Sequence, residues 1–355
     1  MEQKKRILYF YTHFSSFVAK DVRILEPGFI ITKRSFAPSK KIFTPFLLLS
    51  QFLFILLRIG RCDLVICQFG GYHSYFPTLL AKIFRKPSLI ITGGMDCVSF
   101  PSIHYGVFNN RFMKWFTVRS YKNATHISPV HESLMLCDYT YQDDDFKKQG
   151  LLAFAPFIKT PFTVIYNGYD PEKWKCTQEK KPGTFITVVS GIEIPSRKKL
   201  KGIDLVIQLA KNLPGCSFTI IGIPEGFHLG DMPPNIATLP FVKNEELPSY
   251  YSRSEFYLQL SMSEGFPNAL CEAMLCECIP IVSNVGAMPD IVNDSGFILR
   301  RRDLQLLKKL AEEALATKNK EELRKKARER IAVNFPESRR KTELLKLTLS
   351  LTGSK

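Results

Sequence analysis

The chain has 355 residues, 45% of them hydrophobic, a mean hydropathy of −0.04 and no low-complexity tract or fixed-period repeat, which excludes disordered and solenoid classes and points to two domains of roughly 150–200 residues. Forty-nine Lys and Arg against 33 Asp and Glu leave a formal charge of +16, which favours anionic partners such as nucleotides, phosphates or anionic lipid headgroups. The nine cysteines are odd in number, mostly set in apolar runs and without a CxxC pair, so reduced thiols in a cytoplasmic setting are expected rather than disulfides or zinc.

The first segment, "MEQKKRILYFYTHF", has basic residues before a short apolar stretch that His13 interrupts, and it lacks a small-residue cleavage site; it reads as a first strand, not a signal peptide. The most apolar run, "PFLLLSQFLFILLRI" (45–59), is shorter than the ~20 residues a spanning helix needs and contains Ser50 and Gln51. Two readings stay open for it: a buried helix covering a sheet, or an interfacial helix with Lys40, Lys41, Arg58 and Arg61 near lipid phosphates.

Strand-like "DLVICQF", a helix over "FPTLLAKIF", "PSLIIT", a helix over "NNRFMKWFTVRSY" and "ATHISPV" follow in alternation, the signature of βαβ units and a parallel sheet. The pattern pauses at "YQDDDFKKQG" and resumes at "FTVIYNGYDPEKW", where Asn-Gly and Asp-Pro mark turns. A second series then runs "TFITVVS", a helix over "GIDLVIQLAKNL", "SFTIIG", "NIATLPFV", a helix over "NEELPSYYSRS", "EFYLQLS", a helix from about 268, "IPIVSNV", and helices to the end. The expected architecture is α/β, with Rossmann-like doubly wound domains over 1–162 and 163–335 facing across a cleft, and a C-terminal helix in 336–355 packing back toward the first domain. Ligands of such sheets sit at the carboxyl ends of the strands.

"SMSEGFPNALCEAM" (261–274) stands where a strand ends and a helix begins. Backbone N–H groups in the span from Phe266 to Asn268 then open a helix N-terminus suited to an anion, Gly265 permits close approach, and Pro267, which has no N–H of its own, suits the first helical turn. Glu264 stays in the loop and Glu272 lies about one turn into the helix, so the two carboxylates can meet one ligand at separate points. The alternative is a capping Glu264 and a surface Glu272.

The stretch resembles the E-x7-E signature of retaining GT-B glycosyltransferases, most of all glycosyltransferase family 4 (group 1 type). "VIYNGYDPEKW", "KGIDLVIQLAKNLP", "LPFVKNEELPSYYSRSEFYLQLS" and "NVGAMPDIV" fall in that family's order, and the likeness covers residues 163–300 well and the N-terminal half in outline. The resemblance implies a metal-independent hexosyltransferase that uses a nucleotide-diphosphate sugar as co-substrate and needs no cofactor. Glu264 would contact the donor sugar, Glu272 the ribose, and Gly265 to Ala269 the diphosphate. Lys201 matches the family's Lys; the Arg usual after the preceding strand's Gly is absent, and Arg197 is the candidate replacement.

In the N-terminal half the family's Gly-rich turn is replaced by "THFSSF" and its His-containing turn by "GGMD". Gly93, Gly94 and His13 are therefore the acceptor-side candidates, and Asp96 either takes over a catalytic hydroxyl contact or caps its turn. His73, His104 and His131 are expected to be structural. "QDDDF" (142–146) contains a D-x-D, but no strand leads into it and Lys147 and Lys148 follow, so no metal site is expected there.

The implied acceptor is a hydroxyl group, and the charge together with residues 45–59 suggests a lipid-linked one, used in surface polysaccharide or glycolipid assembly by a cytoplasmic protein peripheral to the membrane. Two rivals stay open: a GT-B-fold nucleotide-sugar epimerase, and a non-catalytic member that binds a nucleotide sugar. No nucleic acid partner is expected, since no aromatic-basic or recognition-helix pattern is present.

Overall fold

The computed structural model describes residues 4–37 and 41–353. Lys40, expected to flank the apolar helix, lies outside the described residues, as does the side chain of Lys41. The chain divides into two compact units: Met1–Cys137, Lys148–Tyr166 and Ser338–Lys355 form one, and Asp138–Lys147 with Asn167–Glu337 the other.

The first unit is built on strands β1 (Lys5–Tyr11), β2 (Phe29–Ser35), β3 (Leu64–Gln68), β4 (Ser88–Thr92) and β5 (His126–Pro129), all parallel, in the order β2-β1-β3-β4-β5. Ile7 pairs with Ile31 on one side and Leu64 on the other. Every residue of β3 and β4 is buried, because helices cover both faces of a parallel sheet and its inner strands are apolar throughout. The helices are α1 (Ser16–Leu25), α2 (Thr44–Leu56), α3 (Tyr72–Ile83) and α4 (Arg111–Asn123). α1 and β2 were not expected. α1 does carry a helical apolar pattern, Val18, Val22 and Leu25, while the edge strand β2 is half-solvated and mixes Thr, Lys and Arg into its run.

Neither reading of residues 45–59 describes α2 completely. The helix buries Gln51 and Ile55 against the unit, yet it leaves Phe46, Leu49, Leu53 and Leu56 exposed. A short ribbon, β6 (Cys137–Asp138) with β7 (Lys148–Gln149), and the single turn α5 (Leu151–Phe154) follow.

The second unit has strands β8 (Lys181–Val188), β9 (Ser217–Ile221), β10 (Ile236–Leu239), β11 (Ser254–Gln259), β12 (Ile279–Ser283) and β13 (Phe297–Leu299) in one parallel sheet, ordered β10-β9-β8-β11-β12-β13. Counted within the unit this is 3-2-1-4-5-6, the Rossmann order, whose switch point lies between β8 and β11. Phe185 of β8 stacks on Phe218 of β9 and Phe256 of β11 at 4.8 and 4.9 Å, which fixes the centre of the sheet. Its helices are α6 (Pro195–Leu200), α7 (Ile203–Asn212), α8 (Leu247–Arg253), α9 (Asn268–Leu275), α10 (Met288–Val292), α11 (Leu304–Ala316) and α12 (Lys320–Asn334).

The last helix, α13 (Glu337–Leu351), returns from Ser338 onward to the first unit, where Leu344 and Leu347 join the core of Ile7, Tyr9, Val18 and Leu25. Arg340 anchors it there. Its Nε and Nη2 each donate at 2.9 Å to the fully buried Asp21 carboxylate, and its Nη1 donates to the carbonyls of Ile165 and Tyr166 at 3.2 and 3.1 Å. A buried charge pair is tolerable only when its remaining hydrogen bonds are met in this way.

Candidate functional site

The switch point of the second unit places two connections together: the one leaving β8, which carries α6 and Lys201, and the one leaving β11, which carries Glu264. Lys201 caps the C-terminus of α6 and Gly202 opens α7 at φ +69°. A Cβ at Gly202 would stand 2.1 Å from the Leu260 carbonyl oxygen, so only glycine allows this connection to lie against the end of β11. The Met262 N–H donates to the Leu200 carbonyl at 2.7 Å and ties the two together.

The result is a closed polar network. Glu264 Oε1 accepts from Lys201 Nζ at 2.6 Å, Ser261 Oγ at 2.8 Å and Gln259 Nε2 at 3.2 Å. Gln259 Oε1 in turn accepts from the Tyr257 hydroxyl at 2.8 Å. Lys201 and Glu264 keep 18% and 13% of their side-chain surface, so the pair is largely shielded and still open on one side. Among the described residues no donor reaches Glu264 Oε2. Gln259 and Ser261 were missed from sequence; the signal was polar residues two apart at the end of an otherwise apolar strand.

On the far side Gly286, at φ +55°, lies against the Glu264 backbone. A Cβ there would be 1.8 Å from the Glu264 carbonyl oxygen. Ser283 Oγ donates to the Ser261 carbonyl at 2.5 Å. The loop is thus held by two glycines and by hydrogen bonds to its own backbone, which restrains Glu264 before any ligand arrives.

Helix α9 starts at Asn268, with Pro267 at the N-cap rather than inside the first turn as expected. Pro267 offers no side-chain cap, so the first-turn N–H groups at Asn268, Ala269 and Leu270 lack intrahelical acceptors. The Phe266 side chain is buried and packs on Tyr169 and Phe335, with ring centroids 6.4 and 5.2 Å away, and its carbonyl accepts from Asn167 Nδ2 at 3.3 Å. Gly265 is buried beside it. The Tyr169 hydroxyl donates to Asn268 Oδ1 at 2.8 Å, orienting that side chain. Glu272 is half-buried one turn further. Burial drives the Tyr257 hydroxyl well above its usual pKa, and the charges of Glu264 and then Glu272 push the same way. Arg197 lies within α6, on the same short helix that Lys201 terminates.

In the first unit the expected catalytic role of Asp96 does not match the geometry. Its Oδ2 accepts from the Tyr121 hydroxyl at 2.6 Å and the Gly70 N–H at 2.9 Å, and its Oδ1 from the N–H groups of Gly94 and Gly93 at 3.0 and 3.4 Å. Both oxygens are spent and the residue is buried, so Asp96 is the pin that joins the loops after β3 and β4. Burial raises its pKa, with the Tyr121 and backbone bonds opposing the rise. Gly93 and Gly94 donate to that pin. His13 sits exposed in the loop after β1.

His73 is buried in the first turn of α3, and burial lowers its pKa to about 4 against weaker support from backbone bonds at Gln68 and Phe69. His104 adopts a left-handed turn, and His131 Nδ1 meets Ser133 Oγ at 2.9 Å. In the acidic run of the second unit, Asp143 pairs with Lys147 at 2.8 Å and Arg301 at 3.5 Å, while Asp144 accepts from Gln142 at 2.8 Å. Neither carboxylate is free of a cationic or amide partner.

The sequence model of the family described as glycosyl transferases group 1 matches residues 192–332, which contain Lys201, Glu264 and Glu272. An uncharacterized glycosyltransferase of Methanocaldococcus jannaschii is 29% identical over 176 residues, 47% of each chain. The O-antigen chain mannosyltransferase B of Escherichia coli is 32% identical over 72 residues, 20% of this chain and 19% of its own. The chain therefore spans about half the length of the first of these relatives and about a fifth of the second.

Among solved structures, a sucrose-phosphate synthase from Thermosynechococcus elongatus superposes with a TM-score of 0.75 at 13% identity, covering 99% of this chain and 100% of that one. Anabaena HepE in complex with UDP-glucose does so with a TM-score of 0.72 at 13% identity, covering 97% and 99%. The chain has the GT-B fold of these enzymes, and its residues 192–332 are similar to the glycosyl transferases group 1 family.

Proposed function

We propose that the protein is a retaining glycosyltransferase that moves a hexosyl group from a nucleotide-diphosphate sugar to a hydroxyl acceptor without a metal ion. The observation that carries the reading is the Lys201–Glu264 pair, 2.6 Å apart at the switch point and adjoining the uncapped start of α9. A donor has three recognisable parts, and the site offers a fitting group to each. The diphosphate meets the first-turn N–H groups of α9 with Lys201 and Arg197, because cations and a helix N-terminus stabilise the charge that a departing diphosphate gains. The sugar meets Glu264, whose carboxylate favours positive charge at the anomeric carbon. The ribose diol meets Glu272, which accepts from its hydroxyls.

On this reading the 2.6 Å contact is the resting state of a cation that turns to the phosphates when the donor enters. The Glu264 carboxylate would keep Ser261 and Gln259 as donors when Lys201 leaves, so it is not stranded. The acceptor side falls to the loops after β1 and β4 of the first unit, with His13, Gly93 and Gly94, and Asp96 shapes that side without touching substrate. A lipid-linked acceptor in surface polysaccharide or glycolipid assembly, reached by a cytoplasmic protein at the membrane surface, is the class we favour.

The test is to incubate the purified protein with a panel of nucleotide sugars and follow each by mass spectrometry. Release of nucleoside diphosphate with an α-configured product from an α-configured donor supports the reading. Rearrangement of the donor without any acceptor would assign an epimerase instead, and binding of a donor with neither hydrolysis nor transfer would assign a non-catalytic role.

A further inference from the structure

The excess charge of the chain is concentrated in the first unit. Residues 27–131 hold thirteen Lys or Arg and two acidic residues, Asp63 and Asp96, of which Asp96 is buried. Helices α2, α3 and α4 contain no acidic residue and pack in succession along one side of the sheet.

α2 reverses the usual polarity of a surface helix. Its one amide side chain, Gln51, is buried and donates to the His73 carbonyl at 3.0 Å, whereas Phe46, Leu49 and Leu53 are 69%, 57% and 51% exposed. The exposed positions recur at i, i+3, i+7 and, at Leu56, i+10, so they form one stripe facing away from the unit. The face continues in aromatic contact across the three helices: Phe52 meets Phe76 at 5.3 Å, Phe76 meets Tyr75 at 5.3 Å, and Tyr75 meets Trp115 at 5.5 Å. On α4 the exposed Phe112 and Trp115 extend it. Cations lie along it: Arg58 and Arg34 sit over Phe54 at 4.2 and 4.9 Å, and Arg119 over Trp115 at 3.9 Å.

Exposed apolar side chains gathered into one face, rather than scattered singly, mark an interaction surface. Apolar side chains with interleaved cations and no acids match the layering of an anionic bilayer, where hydrocarbon lies under phosphate. A second copy of the same face would bring like charges together. No helix among the described residues is long and apolar enough to cross a membrane, so the contact is a surface one.

We propose that the outer stripe of α2, together with Phe112 and Trp115 of α4, docks the first unit on an anionic lipid surface. This deepens the lipid-linked acceptor reading, but binding and turnover are measured separately, so either can fail without the other.

The full chain is sedimented at low salt with vesicles of phosphatidylcholine containing phosphatidylglycerol, and with phosphatidylcholine alone. Retention on the anionic vesicles only is expected, with a blue shift of tryptophan emission. That shift has one source, because the chain has two tryptophans and Trp174 is buried in the second unit while Trp115 is 43% exposed. Leu49→Ser with Leu53→Ser should weaken partitioning about tenfold or more, and Arg58→Glu with Arg119→Glu should reduce the preference for anionic lipid. No retention, equal retention on neutral vesicles, or an unshifted Trp115 overturns the proposal even if a variant misfolds. So does a wild-type dimer in sedimentation velocity that Leu49→Ser/Leu53→Ser converts to a monomer, which would assign the face to a second copy.

Discussion

Lys201 Nζ and Glu264 Oε1 stand 2.6 Å apart although they lie 63 positions apart in sequence, and the contact exists because Gly202 lets the β8 connection lie on the end of β11. The pair is more buried than a surface ion pair and less buried than a core one, so its free energy is intermediate. Lys201→Met keeps the length of the stem and removes the charge. It should lower thermal stability by about 1 kcal/mol, since Ser261 and Gln259 still serve Glu264, and weaken donor binding by about 1–3 kcal/mol through the lost phosphate contact. Calorimetric donor titration beside a melting curve separates the two effects; a variant with unchanged donor affinity would make the pair purely structural.

Gly286→Ala tests the support from the other side. The new methyl would need to occupy space 1.8 Å from the Glu264 carbonyl oxygen at a φ of +55°, so the loop must move. A stability loss of about 1–3 kcal/mol is expected from the strain, with turnover falling further than stability because Glu264 shifts. Melting curves and kcat measured on the same preparation check this, and a fully active variant would show that the loop tolerates the displacement.

Stability of the first unit should depend on pH through His73. Its folded pKa of about 4 lies below the ordinary 6.5 because burial disfavours the imidazolium. The unfolded chain therefore binds a proton between those values and the folded chain does not, so the contribution is complete above pH 6.5 and is lost as pH falls toward 4. The loss amounts to roughly 3 kcal/mol over that window. Urea melts of the wild type and His73→Gln between pH 4 and 7 should differ in slope, and parallel pH profiles would contradict the assignment.

Much of this was legible from sequence because apolar periodicity and punctuation agree in most elements. "DLVICQF" and "PSLIIT" became β3 and β4, and "SMSEGFPNALCEAM" became the loop after β11 and helix α9. What was missed followed from weak or mixed signals: β2 is an edge strand with a solvated face, β13 has three residues, and α1 lacks a side-chain cap. Asp21 and Arg340 lie 319 positions apart, and no local pattern announces that they pair. Asp96 shows the limit most clearly. Its sequence context fits a catalytic group and a turn cap equally, and only the four donors converging on it decide between them.

Turnover should survive chelation. If Lys201, Arg197 and the α9 amides serve the diphosphate, a divalent ion has no charge left to neutralise, and activity in EDTA should equal activity without it. Activity lost in EDTA and restored by manganese would turn attention to the acidic run at Asp143–Asp145.

If Glu264 acts at the reacting centre and Glu272 at the ribose, steady-state kinetics with calorimetric donor affinity separates Glu264→Gln from Glu272→Gln. Glu264→Gln retains size and loses charge, so kcat should fall on the order of 10² or more with donor affinity changed less. Glu272→Gln should weaken donor binding by about 1–3 kcal/mol with kcat nearly kept, because an interaction equal in ground and transition states appears mainly in KM. Wild-type turnover and wild-type donor affinity in both variants would make the two glutamates structural.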